Sequence, residues 1–183
     1  MTTFTVPMFV RGEVITDDLV PFATRLDHSF TAPDPARHAH RLPLRTPMDM
    51  ADLYDISLDE ILDVLAELGQ ALVFEKNAYI QEAFEACLVS NPMADSILRT
   101  GYVALPAMFT RDSMRELADA QVGIDYLEGW VPRRLLDGRE VRVRAFGART
   151  LHVPAGNGGL VSGITVLRNA LTRSDAIIKA PSN

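Results

Sequence analysis

The sequence predicts an α/β protein with a helical front, a β-hairpin, and a strand–helix–strand unit at the C-terminal end. Three observations carry that reading. Apolar residues recur at helical spacing behind capping signals between residues 57 and 120. Val141, Val143 and Ala145 alternate with Glu140, Arg142 and Arg144 beside Asp137-Gly138, the pattern of a hairpin. Residues 149–178 pass from an extended run through glycines 156, 158 and 159 into a helical period, then into a brief apolar strand.

In chain order, residues 1–48 read as an arm and a loop. Phe4, Val6, Met8 and Val10 alternate with polar neighbours up to Gly12, which suits a strand or hairpin arm. Residues 17–47 are proline-rich and without period, so a solvated loop is expected. His28, His38 and His40 include an H-x-H pair. No cysteine or spaced carboxylate completes a zinc set, so no metal site is expected there.

Residues 49–122 form the helical region. Ser57-Leu-Asp-Glu60 is a capping box, in which the hydroxyl and the carboxylate each satisfy an amide of the first turn. Leu58, Ile61, Leu62, Leu65 and Leu68 then share a face, and Gly69 lies near the end. The spacing predicts a second helix over 77–90 with Ile80, Ala83, Phe84, Cys87 and Leu88 on its apolar side. A thiol so placed, with no His or Lys close in sequence, reads as structural, because a nucleophile needs exposure and electropositive neighbours. Shorter helices are expected over 92–108 and 110–120, the latter capped by Thr110 or Asp112.

Residues 123–148 hold the hairpin. Its arginines suit an anionic ligand or a solvent-facing side, and alternation alone favours the second. Residues 149–183 are read as the strand–helix–strand unit. Leu160, Ile164, Leu167 and Leu171 mark the buried side of its helix, and Lys179 ends its second strand. Such a unit with a glycine-rich first turn can seat a nucleotide. Glycine lets a ligand approach the backbone, and the helix start offers amide hydrogens. The spacing is not G-x-G-x-x-G.

The bulk numbers exclude several classes. The chain has 183 residues and a formal charge of −6, with no basic cluster to bind nucleic acid. No apolar run approaches the roughly 20 residues that span a bilayer. The N-terminus lacks the layout of a signal peptide. A single cysteine allows no internal disulfide and suits a cytoplasmic location.

Val153-Pro-Ala-Gly-Asn157, Arg168-Asn-Ala-Leu171 and Ser174-Asp-Ala-Ile-Ile-Lys-Ala-Pro-Ser182 together resemble the aldehyde dehydrogenase superfamily, in its acyl-CoA reductase branch. The segment 126–149, from Tyr126-Leu-Glu-Gly-Trp130 to Phe146-Gly-Ala-Arg149, and the acidic helix from Ser57 share the likeness. General aldehyde dehydrogenases show Pro-Trp-Asn and Lys-Pro-Ser at the two sites where Ala-Gly-Asn and Lys-Ala-Pro-Ser stand here.

The resemblance implies the start of a Rossmann-like cofactor-binding domain for NADP or NAD, and reduction of a fatty acyl-CoA to an aldehyde through a cysteine thioester. Asn157 is then the oxyanion donor and one of the cofactor-binding residues. Val153, Pro154 and Ala155 line the cofactor through their backbone. Lys179 reaches the adenosine ribose or a 2′-phosphate, and Ser182 adds a hydroxyl beside it. By residue chemistry alone, Asn157 equally suits a left-handed turn and Lys179 a solvated strand end.

The nucleophilic cysteine of the resembled enzymes lies beyond the last residue here, so the remainder of an enzyme or a partner chain is expected to supply it. The chain alone is then inactive. The ribbon of the resembled dehydrogenases joins subunits, which implies a homo-oligomer. A non-catalytic binding or assembly module on the same scaffold is the other reading.

Overall fold

The computed structural model describes residues 4–24, 28–156 and 159–181. The chain begins with five short strands: β1 (Phe4–Thr5), β2 (Met8–Val10), β3 (Glu13–Ile15), β4 (Leu19–Ala23) and β5 (Ser29–Pro33). β2 and β3 form an antiparallel hairpin with Val10 opposite Glu13. Its two turn residues, Arg11 and Gly12, have φ of 48° and 85°. Positive φ at both positions matches the right-handed twist of the flanking strands.

The solvated loop expected over 17–47 is not there. β4 pairs antiparallel with β5, and β1 joins β5 in parallel to give the order β1-β5-β4. Proline hid these strands in the sequence. Pro21 lies on β4, an edge strand, where a missing ladder donor is tolerated, and Pro33 ends β5. Val20 and Phe22 are half-buried while Leu19, Pro21 and Ala23 are exposed, and Phe22 stacks on Phe30 at 5.5 Å across the pair. A four-residue helix, α1 (Pro35–His38), follows, with the Asp34 carboxylate accepting from the Ala36 amide. His38 is buried, whereas His28 and His40 are exposed. No three His, Cys, Asp or Glu side chains gather as a metal-holding set among the described residues.

The body is helical: a 3₁₀ stretch (Pro47–Tyr54), α2 (Leu58–Ala71), α3 (Ala78–Ser90), α4 (Asp95–Ala104), a second 3₁₀ stretch (Leu105–Phe109), α5 (Arg111–Gln121) and α6 (Ile124–Glu128). The capping box at the start of α2 is formed: Ser57 Oγ accepts from the Glu60 amide (3.2 Å), and Glu60 accepts from the Ser57 amide (2.8 Å). Leu58, Leu62 and Leu65 of α2 enter the core with Leu105, Phe109, Met114, Ala118 and Leu127.

Leu68 is not on that packed face but 38% exposed, and Gly69 is buried in its place. A Cβ on Gly69 would lie 2.5 Å from Phe109 Cβ, so only hydrogen fits where α2 meets the second 3₁₀ stretch. The helix expected over 92–108 divides in two. Pro106, which has no amide proton, sits in the first turn of the Leu105–Phe109 segment, and the α-ladder stops at Ala104. Thr110 caps α5.

α6 occupies the opening of the stretch read as hairpin. The hairpin proper is β6 (Val131–Arg134) and β7 (Glu140–Val143), paired from Val131↔Val143 to Arg134↔Glu140. Gly138, at φ 86°, donates its amide to the Leu135 carbonyl, and the Leu135 amide bonds the Arg139 carbonyl. That is a three-residue loop with glycine in the left-handed position, one residue longer than Asp137-Gly138 alone would give. Alternation does not translate into a buried face. Val141 is half-buried, but Val143 is exposed and Leu136 is fully in solvent.

The C-terminal unit comprises β8 (Arg149–His152), α7 (Gly159–Leu171) and β9 (Asp175–Ile178). β8 and β9 pair in parallel from Arg149↔Asp175 to His152↔Ile178. Leu167 and Leu171 join the helical core, so α7 is the link between the small sheet and the body. The architecture is mixed α/β, with helices around one core and four small sheets among the described residues.

Candidate functional site

The C-terminal ends of β8 and β9 meet the turn that leads into α7. The Lys179 amide donates to the His152 carbonyl at 2.9 Å, which sets Lys179 beside the start of that turn. Val153, Ala155 and Lys179 are exposed and Pro154 is half-buried. Four of the expected site residues, Val153, Pro154, Ala155 and Lys179, thus share one edge. Asn157 and Ser182 lie outside the described residues.

Two features surround the turn. Asn91, buried after α3, donates from Nδ2 to the Gly156 carbonyl at 3.4 Å and accepts from the Met93 amide at 3.0 Å. Pro92 favours the extended backbone that Asn91 adopts there. A largely apolar groove of about 500 Å³ runs between α4 and the first turn of α7, with Met93, Ile97, Gly101, Tyr102, Leu160 and Val161 among its walls. Under α7, Asn169 is buried and hydrogen-bonds both Thr150 and His152 of β8.

Cys87 is half-buried rather than buried, and its Sγ lies 3.2 Å from the Tyr102 hydroxyl. Burial, and then the bond to Cys87, raise the Tyr102 phenol above its ordinary value. Among the described residues, the polar partner of the thiol is this tyrosine hydroxyl rather than a basic group. On the ribbon, Arg139 pairs with Asp137 at 2.8 Å, Arg133 lies over the Tyr126 ring, and Arg144 lies over Phe146 while its Nη2 bonds the Tyr54 carbonyl. These three guanidinium groups are engaged within the chain.

Sequence reasoning missed Arg173, which reads there as a turn residue. It sits just past α7 at φ 55°, with its side chain 4% exposed. Nε and Nη2 bond the Ile56 carbonyl at 2.9 and 2.8 Å, Nη1 bonds the Leu127 carbonyl at 3.1 Å, and Nη2 pairs with Glu128 at 2.5 Å. Glu128 also accepts the Leu58 amide at 3.1 Å. One guanidinium thus ties the end of α7 to α6 and to the entry of α2. No local pattern announces such a role, because every acceptor is at least 45 residues away.

Fold and site define a mixed α/β chain with a parallel strand–helix–strand unit whose first turn carries the expected contact residues. No family model matches the chain. It is 25% identical, over 179 residues and 94% of its length, to a long-chain acyl-protein thioester reductase of Vibrio harveyi. The aligned part is 35% of that enzyme, so the chain spans about a third of the length of the curated relative it matches. The similarity supports a distant relationship to acyl reductases. Among the described residues, no helix is long and apolar enough to cross a membrane.

Proposed function

We propose that the chain is the N-terminal, cofactor-seating part of an NAD(P)H-dependent reductase that converts a fatty acyl thioester to an aldehyde. The observation that carries this reading is the β8–turn–α7–β9 unit, in which Lys179 stands beside a turn that opens with exposed Val153 and Ala155. Its spread along 94% of the chain gives the reductase likeness weight.

The residues fit a dinucleotide. Val153 and Ala155 are exposed for backbone contact, and Lys179 is an exposed cation at the strand ends, where ligands of parallel sheets bind. Val153, Pro154, Ala155, Asn157, Lys179 and Ser182 would hold NADP or NAD, whose reduced form, when bound, supplies a hydride to the acyl carbon. Asn157 would donate to the developing oxyanion. The thiol that takes the acyl group comes, in this reading, from polypeptide outside the chain, which also completes the Rossmann-like sheet.

Fluorescence titration of the chain with NADPH and NADH tests the proposal. Saturable binding is expected, weakened in Lys179→Ala and more so for NADPH, because a 2′-phosphate loses its charge partner. Absence of saturable binding of either cofactor sinks the reading.

A further inference from the structure

We propose that the β6–β7 ribbon docks on an anionic lipid surface: its leucine tip enters the bilayer while the arginines behind it meet the headgroups. The inference does not depend on the cofactor reading.

The ribbon stands clear of the body. Every residue from 132 to 140 is exposed. The ladder from Val131↔Val143 to Arg134↔Glu140 carries the loop roughly 10 Å beyond its base.

The loop carries the wrong residues for water. Turn positions favour Gly, Asn, Asp, Ser or Pro, yet Leu135 and Leu136 stand here. Leu135 is 40% exposed, and Leu136 is exposed over its whole surface. Single exposed apolar side chains are common, but two adjacent leucines at the leading end of a projecting hairpin face whatever the tip meets. Asp137 does not leave a bare carboxylate beside them. It pairs with the Arg139 guanidinium at 2.8 Å and accepts the Arg139 amide at 3.1 Å.

Charge and its placement select the partner. Residues 131–144 hold five arginines against Asp137 and Glu140, an excess of three positive charges on a chain of formal charge −6. The pairs Pro132↔Arg142 and Arg134↔Glu140 set Arg134 and Arg142 on one face, and Arg133 opposite Val141 on the other. Among the described residues, Arg134 and Arg142 have no ion-pair or side-chain hydrogen-bond partner. Apolar residues thus lead, and guanidinium groups follow on both faces. That is the depth order of hydrocarbon beneath anionic headgroups. The long arginine stems let each charge stay at headgroup level while the tip goes deeper. An acidic protein approaching from one side would leave the arginines of the other face unmatched.

Co-sedimentation of the whole chain with lipid vesicles tests the proposal. Binding is expected to vesicles of phosphatidylglycerol and phosphatidylcholine in equal parts, with little to phosphatidylcholine alone, and it should weaken as salt is raised. The double variant Arg134→Gln, Arg142→Gln should lower the partition coefficient on the order of tenfold. Leu136→Ser should lower it by a similar order through lost apolar burial. These side chains are exposed, so both variants should keep the wild-type urea midpoint. No binding to the anionic vesicles, or wild-type binding by the arginine variant, overturns the proposal. Wild-type binding by Leu136→Ser removes the tip from the bilayer and overturns it too. Self-association abolished by the same variants, without vesicle binding, would assign the ribbon to a second copy of the chain instead.

Discussion

Arg173 shows how much one side chain carries. Truncation to Ala leaves the Ile56 and Leu127 carbonyls without their donor and Glu128 without its cation, all near a buried junction. A loss of about 3 kcal/mol is expected for Arg173→Ala in urea unfolding. Arg173→Lys should recover little of it, because an ammonium cannot reproduce the planar fork that reaches three acceptors. Recovery of most of the stability by Lys would mean that charge alone matters there. A second comparison tests the α2 face. Leu65 is 5% exposed and Glu67 is exposed. Leu65→Ala should cost roughly 2–5 kcal/mol through an unfilled cavity, and Glu67→Ala within about 0.5 kcal/mol. Equal shifts of the urea midpoint would refute the packing described.

At the level of elements, α2 is held at its start by a titratable cap. The Ser57 hydroxyl and then the Ser57 amide, both bonded to the Glu60 carboxylate, hold that carboxyl below its ordinary value. A lowered folded-state value stabilises the fold above the unfolded value and loses that contribution as pH falls through the folded one. Glu60→Gln should therefore be less stable than wild type near about pH 7, with the gap closing as pH drops below the ordinary glutamate value of about 4.3. A gap unchanged at about pH 3 would exclude the carboxylate as its source. This cap was legible in the sequence because its partners are three residues apart, and so were α3, α5, α7 and the β8–β9 pair, whose signals are local. The β1–β5–β4 sheet was not. Its strands are short, two contain proline, and β1 joins β5 across 25 residues or more. The site divides the same way: the turn and Lys179 can be read from glycines and strand ends, whereas Asn91, Asn169 and Arg173 act on partners that only the fold brings near.

For the molecule as a whole, the decisive matter under the proposed function is which step of a thioester reduction this chain would perform. In that proposal, a dinucleotide is seated by a turn and a cation at one sheet edge, and Lys179 stands beside residues 153–155. Accepting an acyl group needs a thiolate, and the one thiol of the chain, Cys87, is half-buried on α3 with a tyrosine hydroxyl at 3.2 Å. An acyl-accepting cysteine needs exposure and electropositive neighbours, and a half-buried thiol beside a tyrosine hydroxyl is not that setting. The isolated chain with a long-chain acyl-CoA and NADPH should accordingly show no oxidation of the nicotinamide above the blank, followed by absorbance, even where titration shows that NADPH binds. Cys87→Ala should leave that binding unchanged. Turnover by the wild-type chain that disappears in Cys87→Ala would reverse the assignment, because the thiol would then be the acyl acceptor and the chain an enzyme in its own right.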